Sequence, residues 1–137
     1  MSDDPVSAED VARSWERMTR LGNDCPGELF EAGFRLNLLA SDDAEAAWNA
    51  IELIIDAMDR RKLIDEGDDD LRRLASNLGA GPLETLLAAH GVEMIARLEA
   101  RATEDDRAAW ILGCVWQGSM PDEIWDRVRK AAGGLSR

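Results

Sequence analysis

Residues 44–59 restrict the fold more than any other segment, because they are apolar around most of a helical surface. On a helical wheel of about 100° per residue, the polar residues of this segment gather in an arc of roughly 80°. These residues, which we call the acidic strip, are Glu45, Asn49, Glu52, Asp56 and Asp59. A helix that is apolar elsewhere must be covered by neighbours on several sides. The sequence therefore predicts a central helix over about 42–60, with only the acidic strip facing water.

Capping signals divide the rest of the chain into further helices. Ser7 with Asp10, and Thr103 with Asp106, have the spacing of a capping box, and glycine-containing pairs mark helix ends. The predicted helices span about 7–21, 26–40, 42–60, 69–78, 82–90, 92–102, 103–116 and 122–132. No stretch alternates polar and apolar residues as a strand would. The predicted fold is all-α, a single compact bundle of about eight helices over residues 1–137, with a short helical-hairpin solenoid as the alternative.

The charge balance restricts the kind of partner. The chain has 28 acidic and 16 basic residues, a formal net charge of −12. Residues 1–59 contain 14 of the acidic residues but only four of the basic ones. A surface of this sign repels phosphate backbones and anionic lipids, so we expect no direct binding to nucleic acid or membranes. We expect a basic protein partner instead, because a field of one sign steers an oppositely charged protein.

Compartment is inferred from the cysteines and from the apolar segments. No run reaches the roughly 18 apolar residues that a membrane-spanning helix needs, and the acidic N-terminus differs from a secretory signal. Cys25 and Cys114 lie far apart in the sequence and form no CxxC pair. We therefore expect a cytoplasmic protein with two reduced, mostly buried thiols.

The acidic strip is the candidate interaction surface. Glu52 and Asp56 lie four residues apart, where like charges repel, and the strip contains no basic residue. A solvated surface is the simpler interpretation, and a cationic partner that neutralises the strip is the more specific one. The specific interpretation predicts an acidic protein-binding module of the immunity or inhibitor type, directed against a basic partner such as a toxin. The predicted contact residues are Asp42, Asp43, Glu45, Trp48, Glu52, Asp56 and Asp59, of which Trp48 is either an interface anchor or an ordinary core residue.

Catalytic and metal-binding patterns are weak. The acidic segment 65–70 has no glutamate at the twelfth position that an EF-hand requires, and one histidine does not make a zinc site. The sequence contains no Gly-rich phosphate loop and no nucleophile elbow. We therefore expect no enzyme, no cofactor and no metal site. The alternative is a small-ligand-binding or enzymatic domain with a site around Glu84, His90 and Glu99, provided that the fold brings these side chains together.

Aromatic residues concentrate near the C-terminal end. Trp110, Trp116 and Trp125 lie within sixteen residues and are predicted to be chiefly structural, because each can bury a large area. The alternative for this cluster is a partly exposed patch that serves docking or self-association. Phe30 and Phe34, four residues apart, are predicted core residues.

One ordered series of residues resembles a protein family. The series consists of Gly81-Pro82-Leu83-Glu84, Leu86-Leu87, His90-Gly91, Glu99 with Ala102, Trp116, Met120-Pro121-Asp122 and Trp125. Over residues 79–129 the chain resembles a small uncharacterised bacterial helical domain family. The resemblance implies a bacterial origin and carries over no activity.

Overall fold

Seven α-helices follow one another in residues 7–133, the part of the chain that the computed structural model describes. They are α1 (Ala8–Leu21), α2 (Gly27–Asp42), α3 (Ala44–Ala57), α4 (Asp69–Leu78), α5 (Glu84–Glu104), α6 (Asp106–Leu112) and α7 (Asp122–Ala131). A short 3₁₀ turn separates α1 from α2, and the π-helical turns Arg61–Glu66 and Gly79–Leu83 flank α4. No strand occurs within the described residues, and the predicted all-α class is confirmed.

Side-chain caps explain where four of these helices begin. A side-chain oxygen accepts a hydrogen bond of 2.8–3.2 Å from a first-turn N–H group in α1, α3, α4 and α6. The capping residues are Ser7, Asp43, Asp68 and Asp105. Each such cap stabilises its helix by about 1 kcal/mol, because the first N–H groups of a helix have no partner within it. Thr103 does not cap α6 as predicted, because it belongs to α5, where its hydroxyl donates to the carbonyl of Glu99.

Helix α5 is one kinked helix where the sequence predicts two, over 82–90 and 92–102. The backbone leaves helical geometry at His90 (φ −135°, ψ 27°), and the helix then continues to Glu104. Gly91 does not end the helix. It is a point of close contact with α7, since a Cβ at this position would lie 2.9 Å from Cγ2 of Ile124.

The core lies around α3 and α5. Helix α3 contacts α1, α2 and α5, whereas α5 also contacts α6 and α7. Ile51, Ile54 and Ile55 are at most 4% exposed, as expected for the predicted central helix, although α3 ends at Ala57 rather than near residue 60. No polar or charged residue is buried among the described residues. The charged residues described are therefore all at least partly at the surface.

The prediction that Phe30 and Phe34 belong to the core is wrong. They lie on the outer side of α2 and are 51% and 39% exposed, and Leu38, one turn further, is 54% exposed. The two phenyl rings stack on each other with centroids 5.7 Å apart. The buried side of α2 consists instead of Gly33, Leu36 and Ala40. A four-residue spacing identifies an apolar row, but only the neighbouring helices decide whether that row is covered.

Cys25 and Cys114 are both half-buried. Among residues 7–133, no helix is both long enough and apolar enough to cross a membrane.

Candidate binding site

Three of the four carboxylates of the acidic strip, those that lie in α3, pair with two arginines of α5. Arg97 binds Glu45 through hydrogen bonds of 2.8 and 2.6 Å, and its hydrogen bonding is the main reason that the pKa of this glutamate is lowered. Arg101 binds both Glu52 (3.0 Å) and Asp56 (2.6 Å). The strip contains no basic residue of its own, but these arginines relieve the repulsion between its carboxylates. The relief comes from side chains 45–52 residues further along the chain.

The other predicted contact residues mostly serve the fold. Asp43 caps α3, and Asp59 accepts a hydrogen bond of 3.1 Å from the backbone N–H of Lys62. Trp48 is 6% exposed and belongs to the core, so the prediction that it anchors a partner is wrong. Asp42 is exposed at the last position of α2. Binding of a basic protein stays a prediction, and three of the six carboxylates on this surface already pair with arginines.

Arg101 is the centre of a cluster that joins α3, α5 and the start of α6. Its side chain is 14% exposed and, besides the two carboxylates of the strip, binds Asp105 at 2.9 Å. Asp105 also accepts hydrogen bonds from Nε and Nη2 of Arg107, at 3.0 and 2.8 Å. The bonds from Arg107, followed by those from Arg101, lower the pKa of Asp105 from 3.8 to about 2. The cluster therefore favours the ionised form of Asp105 in the folded protein and stabilises the fold through it.

The three residues of the alternative site bond to three different parts of the molecule. Glu84 accepts a hydrogen bond of 3.0 Å from the backbone N–H of Trp116. His90 donates from Nε2 to a backbone carbonyl at the end of α2, at 2.8 Å, and Glu99 pairs with an arginine of α7. Glu84 and His90 line different cavities, so a shared site of the three side chains stays a prediction. Within residues 7–133, no group of three or more histidine, cysteine, aspartate or glutamate side chains is arranged to hold a metal ion.

A cavity of about 690 Å³ lies where α4, α7 and the segment after α6 meet. We call it the tryptophan cavity, because three of the five tryptophans of the chain line it. Trp110 is 8% exposed, Trp125 is half-buried and Trp116 is 69% exposed. Aliphatic side chains complete the apolar lining, among them Leu112, Val115 and Val128. The volume lies in the range of about 300–1,000 Å³ that is typical of small-molecule sites.

The tryptophan cavity has a positive local charge. Among residues 7–133, its charged lining residues are Arg72 and Arg129, and no carboxylate lines it. The guanidinium of Arg72 lies 5.4 Å from the ring centre of Trp110, a cation–π contact, and its Nε donates to the carbonyl of Leu63 at 2.9 Å. Within the described residues, neither arginine has a carboxylate oxygen within 4.0 Å. Two cationic groups therefore meet in one cavity of a chain whose net charge is −12.

Hydrogen bonds fix the segment that carries Trp116. The bond from its backbone N–H to Glu84 ties this segment to the start of α5. Nε2 of Gln117 donates to the carbonyl of Met120 (3.2 Å) and to the carboxylate of Asp122 (2.7 Å). The exposed ring of Trp116 therefore projects from a constrained backbone.

The sequence identifies the aromatic part of this cavity but misses its charge. Trp110, Trp116 and Trp125 stand out as a cluster, with a partly exposed patch as the alternative to a purely structural role. Arg129 follows Trp125 by four residues, which places both on one side of α7 and could have been noticed. Arg72 gives no such signal, because it reaches the cavity from a different helix.

The fold and this cavity define an all-α protein with an aromatic, arginine-lined cavity. The chain matches a family of unknown function (DUF6869) over residues 30–135, and because this is more than half of the chain, the protein belongs to that family. No curated protein and no solved structure matches the chain. The bacterial origin that the sequence resemblance implies stays a prediction.

Proposed function

We propose that this protein binds a small organic anion with a flat apolar body, in the tryptophan cavity. The observation that carries the proposal is the lining as far as the structure describes it, three indole rings beside two arginines with no carboxylate among them. Indole rings make favourable contacts with other aromatic rings. Guanidinium groups bind carboxylate and sulfonate oxygens through charge-assisted hydrogen bonds. Together these groups suit a ligand that is apolar at one end and anionic at the other.

Because the molecule as a whole is negatively charged, binding of an anion requires the two arginines of the cavity. A net charge of −12 repels anions at a distance. At physiological ionic strength this repulsion is screened beyond about 8 Å. A contact with the half-buried Arg72 is screened less than one with Arg129, which is exposed. Attraction of an anion therefore depends on Arg72 and Arg129 rather than on long-range steering.

This proposal retains a binding function but moves its site away from the acidic strip. Glu45, Glu52 and Asp56 are paired with arginines, so an inhibitor role against a basic toxin finds no free carboxylate partner among these three and stays a prediction. A cytoplasmic location is part of the proposal and is supported by the low cysteine content, two residues far apart in the sequence, since disulfide-rich chains are typical of oxidising compartments.

Two dyes with similar ring systems test whether the cavity selects an anion. Anilinonaphthalene sulfonate is anionic, and phenylnaphthylamine is its neutral counterpart. We expect the sulfonate to bind at least about ten-fold more tightly, because one charge-assisted contact of about 1.4 kcal/mol suffices for that ratio. Isothermal titration calorimetry and dye fluorescence on the full chain measure both affinities. Equal affinities, or no binding of the sulfonate, would contradict the proposal.

Variants separate the charge contact from the ring contact. Arg129→Gln should weaken the sulfonate about ten-fold and leave the neutral dye unchanged, whereas Trp116→Ala should weaken both. Because Trp116 is 69% exposed, its replacement should leave the unfolding midpoint nearly unchanged, so that lost binding does not reflect unfolding. The control is Val92→Ala, an apolar residue that is 82% exposed and does not line the cavity. Unchanged sulfonate affinity in Arg129→Gln would overturn the assigned role of that arginine.

A further inference from the structure

We propose that the outer side of α2 binds the same surface of a second copy of this chain, as an antiparallel dimer. This surface, the α2 face, consists of the row Phe30, Phe34 and Leu38. Leu21, at the end of the preceding helix, is a further exposed apolar residue (43%). Large apolar side chains on one exposed helix face are typical of interaction surfaces. The inference does not depend on the tryptophan cavity.

The shape of the α2 face suits pairing of two helices. Side chains four residues apart form a continuous ridge, and two such ridges interdigitate in the commonest class of helix contact, at a crossing angle of about −50°. The stacked rings of Phe30 and Phe34, 5.7 Å apart and inclined by 13°, already restrain each other. Binding therefore orders few additional side chains. Around a two-fold axis near Phe34, Phe30 of one copy meets Leu38 of the other.

Two charged residues favour a second copy of the chain as the binding partner of the α2 face. Glu31 and Arg35 are exposed next to the apolar row, and neither forms an ion pair within residues 7–133. In an antiparallel pair, the first half of one helix lies beside the second half of the other. Each Glu31 then lies beside Arg35 of the other copy, so the face is complementary to itself in charge as well as in apolar character.

The size of the α2 face predicts a weak dimer. Its apolar side chains, with Leu21, expose roughly 300 Å² per copy, so apolar burial in a dimer is only about 600 Å² and the polar residues around the row must supply the rest of the roughly 1,000 Å² that a specific interface needs. The net charge of −12 on each chain also opposes association. We therefore expect a dissociation constant on the order of 10 μM at physiological ionic strength.

Sedimentation velocity of the full chain, from about 1 μM to 1 mM, tests whether the dimer forms. We expect reversible dimerisation, and Phe34→Glu should weaken it at least about ten-fold, because it places a charge at the centre of the apolar contact. Phe34 is 39% exposed, and circular dichroism confirms that the variant is folded. A wild-type chain that stays monomeric throughout, or a dimer unaffected by Phe34→Glu, would overturn the inference.

Charge exchange tests the antiparallel arrangement. Glu31→Arg and Arg35→Glu should each weaken the dimer about ten-fold, and the double variant should restore it to within about three-fold. Net charge alone predicts a different pattern, in which Glu31→Arg strengthens association because it reduces the repulsion between the two chains. Glu123→Arg, on α7, makes the same change in net charge away from α2 and is the control. A double variant as weak as the single ones would overturn the arrangement.

Discussion

Replacing Asp105 with asparagine is expected to lower the free energy of unfolding by about 2 kcal/mol at pH 7. The side chain of Asp105 is 14% exposed and accepts hydrogen bonds from two guanidinium groups. These bonds, mainly those from Arg107, lower its pKa from 3.8 to about 2. Asparagine retains an oxygen that can cap α6, so the loss reports chiefly on the charge.

The effect of this substitution should depend on pH in a defined direction. Because the pKa of Asp105 is lower in the folded protein than in the unfolded chain, the folded state binds the proton less readily. The stabilisation is therefore complete above about pH 4, decreases as the pH falls toward 2, and is absent at still lower pH. Urea unfolding between pH 2 and pH 7 should show the difference between wild type and variant shrinking from about 2 kcal/mol at pH 7 to about 0.4 kcal/mol at pH 2.

A matched control distinguishes the effect of the charge of Asp105 from the effect of removing any one negative charge from the chain. Asp126 is exposed on α7 and makes no side-chain hydrogen bond or ion pair among the described residues. Asp126→Asn should therefore change the free energy of unfolding by less than about 0.5 kcal/mol at any pH. If the difference between Asp105→Asn and wild type does not vary with pH, the charge of Asp105 does not stabilise the fold in the way that its arginine contacts indicate.

Local signals in the sequence locate the helices well and fail where distant helices meet. The cap at Ser7 and the helix over 69–78 depend on neighbouring residues, and both are where the sequence predicts them. Gly91 fails as a helix end, because its lack of a side chain serves contact with α7. The same limit explains Phe30 and Phe34, whose spacing fits a buried row although no described helix covers them.

Contacts between distant helices were even harder to predict for the acidic strip and the tryptophan cavity than for the fold. A helical wheel places Glu45, Glu52 and Asp56 on one side of α3, but it contains no information about the arginines that α5 brings to them. Three tryptophans lie close together in the sequence, and this spacing is sufficient to predict an aromatic cluster. The structure changes the interpretation of this cluster from an apolar patch to a cavity that also contains a positive charge, because Arg72 lies over Trp110.

Replacing Gly79 with alanine is expected to destabilise the protein by about 1–3 kcal/mol, the usual cost of adding a methyl group where no space exists. A Cβ at this position would lie 2.5 Å from the carbonyl oxygen of Ile111 and 2.9 Å from Cβ of Cys114. The first of these atoms belongs to the backbone and cannot rotate away. Relief therefore requires that the π-helical turn at Gly79 and the segment after α6 move apart.

That movement should also affect ligand binding, because Cys114 lines the tryptophan cavity and Ala80 follows Gly79 in its wall. Gly79→Ala should weaken the sulfonate and the neutral dye by similar factors, unlike Arg129→Gln, since it changes the shape of the cavity and not its charge. Gly27→Ala is the control, because a Cβ there meets no atom within 4 Å, and it should leave stability unchanged or raise it by up to about 1 kcal/mol. Urea unfolding and dye titration measure both effects. A Gly79→Ala variant as stable as wild type would show that the π-helical turn at Gly79 does not approach Ile111 and Cys114 as closely as the structure places it.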